Sequence, residues 1–195
     1  MSVEKIRIIT INEDSLERCR PLCDALMQYQ AEKSTLHTEV LAAMNFDNRL
    51  KASFLSTQNK TLIGAEYDGK IIGYAYATTH QMTTEGRYFL PDWLRPIYKE
   101  GQLVFYPDQQ ELPATIGVFN NLYVTPQFHG KGVGGKLAHQ LMQWLYHSEA
   151  SDCYVYISNG NETTMAPFYE RLGFHYSHDV LDGFITAYHQ KNKSD

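Results

Sequence analysis

The sequence predicts an α/β fold, and three observations carry that expectation. Segments of strand-like periodicity alternate with segments of helical periodicity; the pair Asp68-Gly69 separates two alternating runs; and the stretch from Leu122 to Leu137 passes from an apolar strand through a Pro-punctuated turn into a glycine-rich loop that opens a helix.

The elements follow in order. Residues 5–11 are β-rich and are expected to form an edge strand. Residues 12–30 carry a helical pattern with a cap at Asn12 or Asp14, and Pro21 must either kink that helix or start its main part. A second helix is expected over residues 38–55, with Leu41, Met44 and Leu55 among its core positions. Residues 61–67 and 70–79 read as strands, and Asp68-Gly69 between them as a type I′ turn, whose two central positions need positive φ. Over residues 81–115 the pattern dissolves into Pro91, Trp93, Pro96, Tyr98, Phe105, Tyr106 and Pro107, too long and too aromatic for a mere connection. Such an insertion either borders a binding site or packs as a flap, completing the core or forming a dimer contact.

Residues 116–124 form the next expected strand. The helix over 131–147 stacks Leu137, Leu141 and Leu145 at i, i+4 and i+8 on one buried face. Residues 153–157 read as a strand and 163–172 as a short helix ending at Gly173; residues 174–188 hold the last strand or two, turning at Leu181-Asp182-Gly183.

At 195 residues, the chain is expected to be one domain, residues 1–195, burying about 70% of its unfolded surface. Hydrophobic residues at 43%, charged residues at 20% and a formal charge of −5 argue against nucleic acid as the main partner. The N-terminus lacks the charged lead and apolar run of a secretory signal, and no run approaches membrane-spanning length, so a cytoplasmic protein without a membrane partner is expected. Cys19, Cys23 and Cys153 are odd in number, with Cys19 and Cys23 on one helix face, and no Cys/His spacing suggests a metal.

The glycine loop carries the chemistry. Gly130, Gly132, Gly134 and Gly135 remove side chains that would hold a ligand away from the backbone, and the first-turn N–H groups of the following helix then face an anion, with Lys131 and Lys136 close by. As a nucleoside-triphosphate loop it lacks the metal-ligating hydroxyl, because Leu137 follows Lys136. As a dinucleotide loop it lacks the ribose-binding acid, because the next strand ends in Ser158-Asn159-Gly160.

A third pattern, [QR]-x-x-G-x-[GA], is matched by His129-Gly130-Lys131-Gly132-Val133-Gly134 except for the initial His. Upstream lies Asn121-Leu122-Tyr123-Val124-Thr125-Pro126; downstream lies Asn161, followed by Ala166-Pro-Phe-Tyr-Glu-Arg-Leu-Gly-Phe174. With these three segments together the chain resembles the GNAT N-acetyltransferase superfamily, most clearly over residues 61–190. The resemblance implies the GNAT fold, a central mixed, twisted sheet of about six to seven strands flanked by helices, with residues 81–115 as an insertion on the acceptor side. It implies acetyl-CoA as cofactor, no metal, and transfer of the acetyl group to a primary amine by direct attack in a ternary complex. A small-molecule amine is the expected acceptor, and a homodimer of this chain is a further expectation. A protein or peptide acceptor, or a non-catalytic acyl-CoA sensor, are the alternatives.

Residue by residue, the resemblance implies that the amides of His129, Gly130, Lys131, Gly132, Val133, Gly134 and Gly135 hold pyrophosphate. Leu122, Tyr123 and Val124 would pair with the pantetheine arm, an N–H near Val124 polarising the thioester oxygen. Asn161 would bond the cofactor arm, or else cap its helix. Tyr169 would be the general acid that protonates the leaving thiolate, or else a core aromatic. Many relatives carry a glutamate base on the strand before the loop, where this chain reads Phe119-Asn120-Asn121. A water chain, or Glu66, Glu85 or Glu111, would then take the amine's proton, and His129 would stand in for the usual Gln or Arg beside the phosphate.

Overall fold

The computed structural model describes residues 5–86, 90–102 and 105–192. Residues 1–4, read above as lacking a signal, and residues 87–89 and 103–104 of the expected insertion lie outside the described residues.

Seven strands form one mixed sheet: β1 (Arg7–Thr10), β2 (Asn59–Tyr67), β3 (Lys70–Met82), β4 (Ala114–Val124), β5 (Asp152–Ser158), β6 (His175–Val180) and β7 (Ile185–Lys191). Their spatial order is β1-β2-β3-β4-β5-β7-β6. Only β4 and β5 run parallel, as a strand–helix–strand crossover requires. The β2–β3 hairpin turns at Asp68 (φ 52°) and Gly69 (φ 75°), the positive pair that a type I′ turn demands. The second expected turn also holds, with Leu181, Asp182 and Gly183 all at positive φ between the two final strands.

Helices cover both faces. On one, α4 (Val133–His147) buries Leu137, Ala138, Leu141, Met142 and Leu145 against Ala75, Ala77, Phe119 and Val155, with α5 (Glu162–Arg171) beside it. On the other, α1 (Arg20–Lys33), residues 46–51 and α3 (Ala52–Ser56) pack Leu22, Leu26, Met27, Phe46, Leu50 and Phe54 on Leu62, Tyr74 and Tyr76. Pro21 starts the main helix rather than kinking it. Ahead of it, residues Glu13–Cys19 wind as a 3-10 helix, capped by reciprocal bonds between Asn12 and Ser15. The cysteines are free and buried, and loss of hydration pushes the Cys19 thiol up to about 12.

The expected helix over 38–55 is the main departure. It divides into α2 (Thr38–Ala42), a π-helical turn over Asp47–Lys51, and α3, with Leu55 exposed at 51% instead of buried. Polar side chains outcompete the helical ladder there: Asn45 Oδ1 accepts the Asp47 N–H (2.9 Å), Asn48 Oδ1 accepts the Asn45 N–H (2.8 Å), and Asp24 Oδ1 accepts the Phe46 N–H (2.7 Å).

Two outcomes test this architecture. Leu141→Ala leaves a void beneath the sheet and is expected to cost about 2–5 kcal/mol, read from denaturant midpoints. At the sheet's outer strands, Glu66 accepts from Arg7 (2.6 Å) and Arg18 (2.5 Å), and the Arg18 bond, then the Arg7 bond, lower its pKa. A depressed carboxylate stabilises the fold above its unfolded pKa, and that contribution disappears as pH falls through the folded one. Glu66→Gln should therefore melt below wild type at pH 7, with the gap closing as both are titrated well below 4.5, the ordinary value.

Candidate functional site

The site grows from a fork in the sheet. β4 and β5 pair only from Ile116–Asp152 to Phe119–Val155. Beyond that, β5 stays with β7 while β4 stays with β3, and the two diverge. The divergence coincides with a bulge: Tyr76 pairs with Asn121 and Ala77 with Phe119, leaving Asn120 as an extra residue in β4. A bulge bends its strand and presents two successive side chains to one face. Asn120 and Asn121 accordingly line one cavity, whereas Leu122 packs toward α4 and Tyr123 toward α1.

Past the bulge, backbone groups of β4 face the opening. The Thr125 N–H bonds Ile72 O at 2.9 Å, and bonded positions alternate along an antiparallel ladder. Tyr123 therefore turns its N–H and C=O toward β3, and Leu122 and Val124 turn theirs toward the fork. The His129 ring N–H takes one of these, donating from Nε2 to Val124 O at 2.6 Å. Sequence reasoning set this histidine beside a phosphate; the structure adds that it ties the loop to the strand end.

The loop then meets α4, which begins at Val133 and not at 131. Gly130 and Gly132 have φ of 70° and 75°, and a Cβ on either would meet open space. Gly132 caps the helix without a side chain, and the first ladder bond runs from the Lys136 N–H to Gly132 O (3.0 Å). The N–H groups of Val133, Gly134 and Gly135 thus have no intrahelical partner and, with the helix dipole behind them, suit an anion. Lys131 folds back instead, donating to Gln127 O (2.8 Å) above the Phe128 ring.

Tyr169 on α5 reaches the vertex of the fork, edge-on to Phe119 with ring centroids 5.4 Å apart. It also meets Phe168 and Phe174 edge-on, so the core-aromatic and functional readings describe the same ring. Burial raises its phenol pKa above the usual value, keeping the proton in place at any ordinary pH. Asn161 follows β5 at the N-terminus of α5 but makes no capping bond; its Nδ2 donates to Ser158 Oγ (3.0 Å), and its buried Oδ1 has no partner. Asn121 Oδ1 and Thr125 Oγ1 are likewise buried and unpartnered. Among the described residues Tyr74 Oη and Gln190 Oε1 are also buried without a partner, but Asn121, Thr125 and Asn161 lie on β4 or just beyond β4 and β5, where the two strands diverge.

On the opposite face of β4 lies a cavity of about 250 Å³, bordered by Asn120, Asn121, Tyr156, Arg49, Trp93 and Tyr106 among others. It shares Met44, Arg49, Pro91 and Trp93 with an outer cavity of about 780 Å³. The aromatic segment contributes both to the core and to the wall of this cavity. Leu94 and Tyr106 are buried in the core, while Pro91, Trp93 and Phe105 wall the cavity. It is firmly attached: Phe105 O accepts from Tyr156 Oη and His178 Nε2 (both 3.0 Å), and Tyr106 Oη meets His80 Nε2 at 3.1 Å.

The carboxylates considered as bases do not gather here. Glu66 is held between its two arginines at the sheet's far side, and Glu85 and Glu111 are exposed and border neither cavity. Asn159 is consumed structurally, its Oδ1 accepting from the Thr35 N–H and Oγ1 and the Leu36 N–H. Two residues that sequence reasoning passed over as ligand groups stand in the cavity: Asn121, whose signal was a pair of asparagines inside an apolar strand, and Arg49, for which periodicity offered none.

Residues 22–174 match the family model described as the acetyltransferase (GNAT) family. No curated protein matches the sequence significantly. Among solved structures, the paia N-acetyltransferase of Thermoplasma acidophilum, in complex with coenzyme A, is similar at TM-score 0.58 and 17% identity, over 98% of this chain and 99% of that one. An acetyltransferase of the GNAT family from Staphylococcus aureus Mu50 gives TM-score 0.59 and 12% identity, over 96% and 99%. The ribosomal-protein-S18-alanine N-acetyltransferase of Escherichia coli gives 0.55 and 14%, over 97% and 96%. At these identities the likeness is one of fold.

Proposed function

This chain belongs to the acetyltransferase (GNAT) family, and from that premise we propose that it transfers an acetyl group from acetyl-CoA to the primary amine of a small molecule, by direct attack within a ternary complex. The observation that carries this reading is the fork, where an uncapped helix N-terminus, free strand amides and a buried phenol approach one face of β4 and a cavity approaches the other.

The residues fit the cofactor. The amides of Gly130 to Gly135, with room at Gly130 and Gly132, suit the pyrophosphate, whereas the His129 amide, expected among them, is taken by Pro126 O (3.1 Å). Leu122 and the Val124 N–H offer an extended arm the hydrogen bonds of a missing neighbour strand, and Asn161 Oδ1 can accept from one of its amides. Acetyl-CoA supplies the acetyl group as an activated thioester. The Val124 N–H is directed into the fork, where it can stabilise negative charge developing on the carbonyl oxygen. As the amine nitrogen forms the new C–N bond and the C–S bond breaks, the Tyr169 hydroxyl gives its proton to the sulfur. For an acceptor that enters as the neutral amine, the one proton it loses replaces the one that Tyr169 gives to sulfur, and no carboxylate borders the cavity among the described residues to take it first. A small inner cavity with a fastened aromatic wall supports a small acceptor.

Two measurements test the reading. Isothermal titration should detect coenzyme A, and Gly134→Glu should abolish binding while folding normally, because a Cβ there sits 3.8 Å from a Val124 methyl, an ordinary contact. Undiminished affinity in that variant would remove the loop from the site. Tyr169→Phe keeps the ring packing and is expected to bind acetyl-CoA as wild type does while losing turnover by on the order of 10²-fold. Because burial raises the Tyr169 pKa, wild-type kcat should show no alkaline fall attributable to this phenol up to about pH 10, the usual tyrosine value.

A further inference from the structure

Resting on the acetyl-transfer reading, we infer that the acceptor is an amino-acid-like molecule, with its amine against Asn121 and its carboxylate on Arg49. Arg49 is the single charged residue bordering the 250 Å³ cavity among the described residues, and its side chain has no ion-pair or hydrogen-bond partner among them. The surrounding charges explain why. Arg20 pairs with Asp47 (2.6 Å) and Lys51 with Glu17 (2.7 Å), all on the outward side of the π-helical turn. Residues i and i+4 share a helix face and i+2 lies opposite, so Arg49 is directed away from that network and toward the cavity. Glu39, which borders the outer cavity, is exposed and leans on His37 at 3.6 Å. A π-helical turn at this position fits the tendency of such turns to occur at functional sites.

Arg49 is half-buried and borders the cavity together with Leu41, Met44, Pro91 and Trp93; a guanidinium beside apolar surface attracts an anion, and its planar fork matches a carboxylate bidentately. One positive charge balances one negative charge. A phosphate monoester would bring about two negative charges, which this cavity does not match. At the other end Asn121, 4% exposed, holds a buried Oδ1 with no donor, on the strand whose Val124 N–H turns into the fork. An N–H of the acceptor amine supplies that donor. At about 250 Å³ the cavity lies below the range of drug-sized pockets, on the scale of a small acceptor such as a free amino acid. A peptide N-terminus would bring an amide, not a carboxylate, to Arg49.

The test is thiol release from acetyl-CoA with the common amino acids, each beside its decarboxylated amine and its carboxamide. Wild type should acetylate at least one amino acid with kcat/KM on the order of 10²-fold above its two neutralised counterparts, the range of a lost charged hydrogen-bond pair. Arg49→Met should bring that ratio to within a few-fold of one, and Arg49→Lys should retain an intermediate ratio. Circular dichroism and acetyl-CoA titration establish that both variants are folded. Equal use of the decarboxylated amine by wild type, or a preference that survives in Arg49→Met, overturns the inference. So does tight acetyl-CoA binding with no amino acid acetylated, and in each of these cases the acetyltransferase reading stands. Failure of wild type to bind acetyl-CoA overturns that reading instead, and the inference with it.

Discussion

Four residue pairs of parallel sheet, Ile116–Asp152 through Phe119–Val155, hold the two halves of the sheet together, and the abrupt end of that pairing organises the rest. Asn120 is the cause on the β4 side, since the inserted residue bends the strand away from its parallel neighbour. On the α4 face Phe119 and Tyr169 pack edge-on at the vertex. Backbone groups that would have joined a ladder at Leu122 and Val124 face the fork instead, the Val124 carbonyl being taken by His129. A sheet this size could easily have continued its pairing, and the molecule would then have had a core but no cleft.

The site is defined as much by what has been used up elsewhere. Glu66 is spent on Arg7 and Arg18, and Asn159 on the segment after α1. Asp152 is spent on His189, Ser151 and Gln110: burial alone would raise its pKa, but hydrogen bonds from those three side chains lower it. By contrast, Asn121, Thr125 and Asn161 keep buried oxygens without donors among the described residues, as do Tyr74 and Gln190 elsewhere, and Arg49 keeps a charge without a partner among them. Polar groups away from water are costly when unpaired, so the three at the fork support the proposed site there.

Much of this was legible in the residues. The hairpin at Asp68-Gly69, the apolar stripe of α4 and the glycine loop are local patterns, and each has one physical solution that a short window contains. The helix expected over 38–55 failed for a reason no periodicity records. Asn45 and Asn48 bond the backbone around them, and Asp24, over twenty residues earlier, takes the Phe46 N–H, so the helical ladder is replaced by side-chain contacts. The same break produces the π-helical turn on which Arg49 rides.

By itself, then, the sequence determined the alternation of strands and helices, the phosphate-type loop with its free amides, and the family motifs around His129, Asn161 and Tyr169. These depend on spacing along the chain and on which residue types tolerate a given backbone conformation. Only the tertiary structure decided which neighbours each polar group would meet. It set His129 on the Val124 carbonyl, turned Asn121 from the helix face to the cavity face through one inserted residue, and left Arg49 facing the cavity while its neighbours found partners. Hydrogen bonding and charge pairing between residues distant in sequence are settled by packing, and a one-dimensional pattern does not contain them.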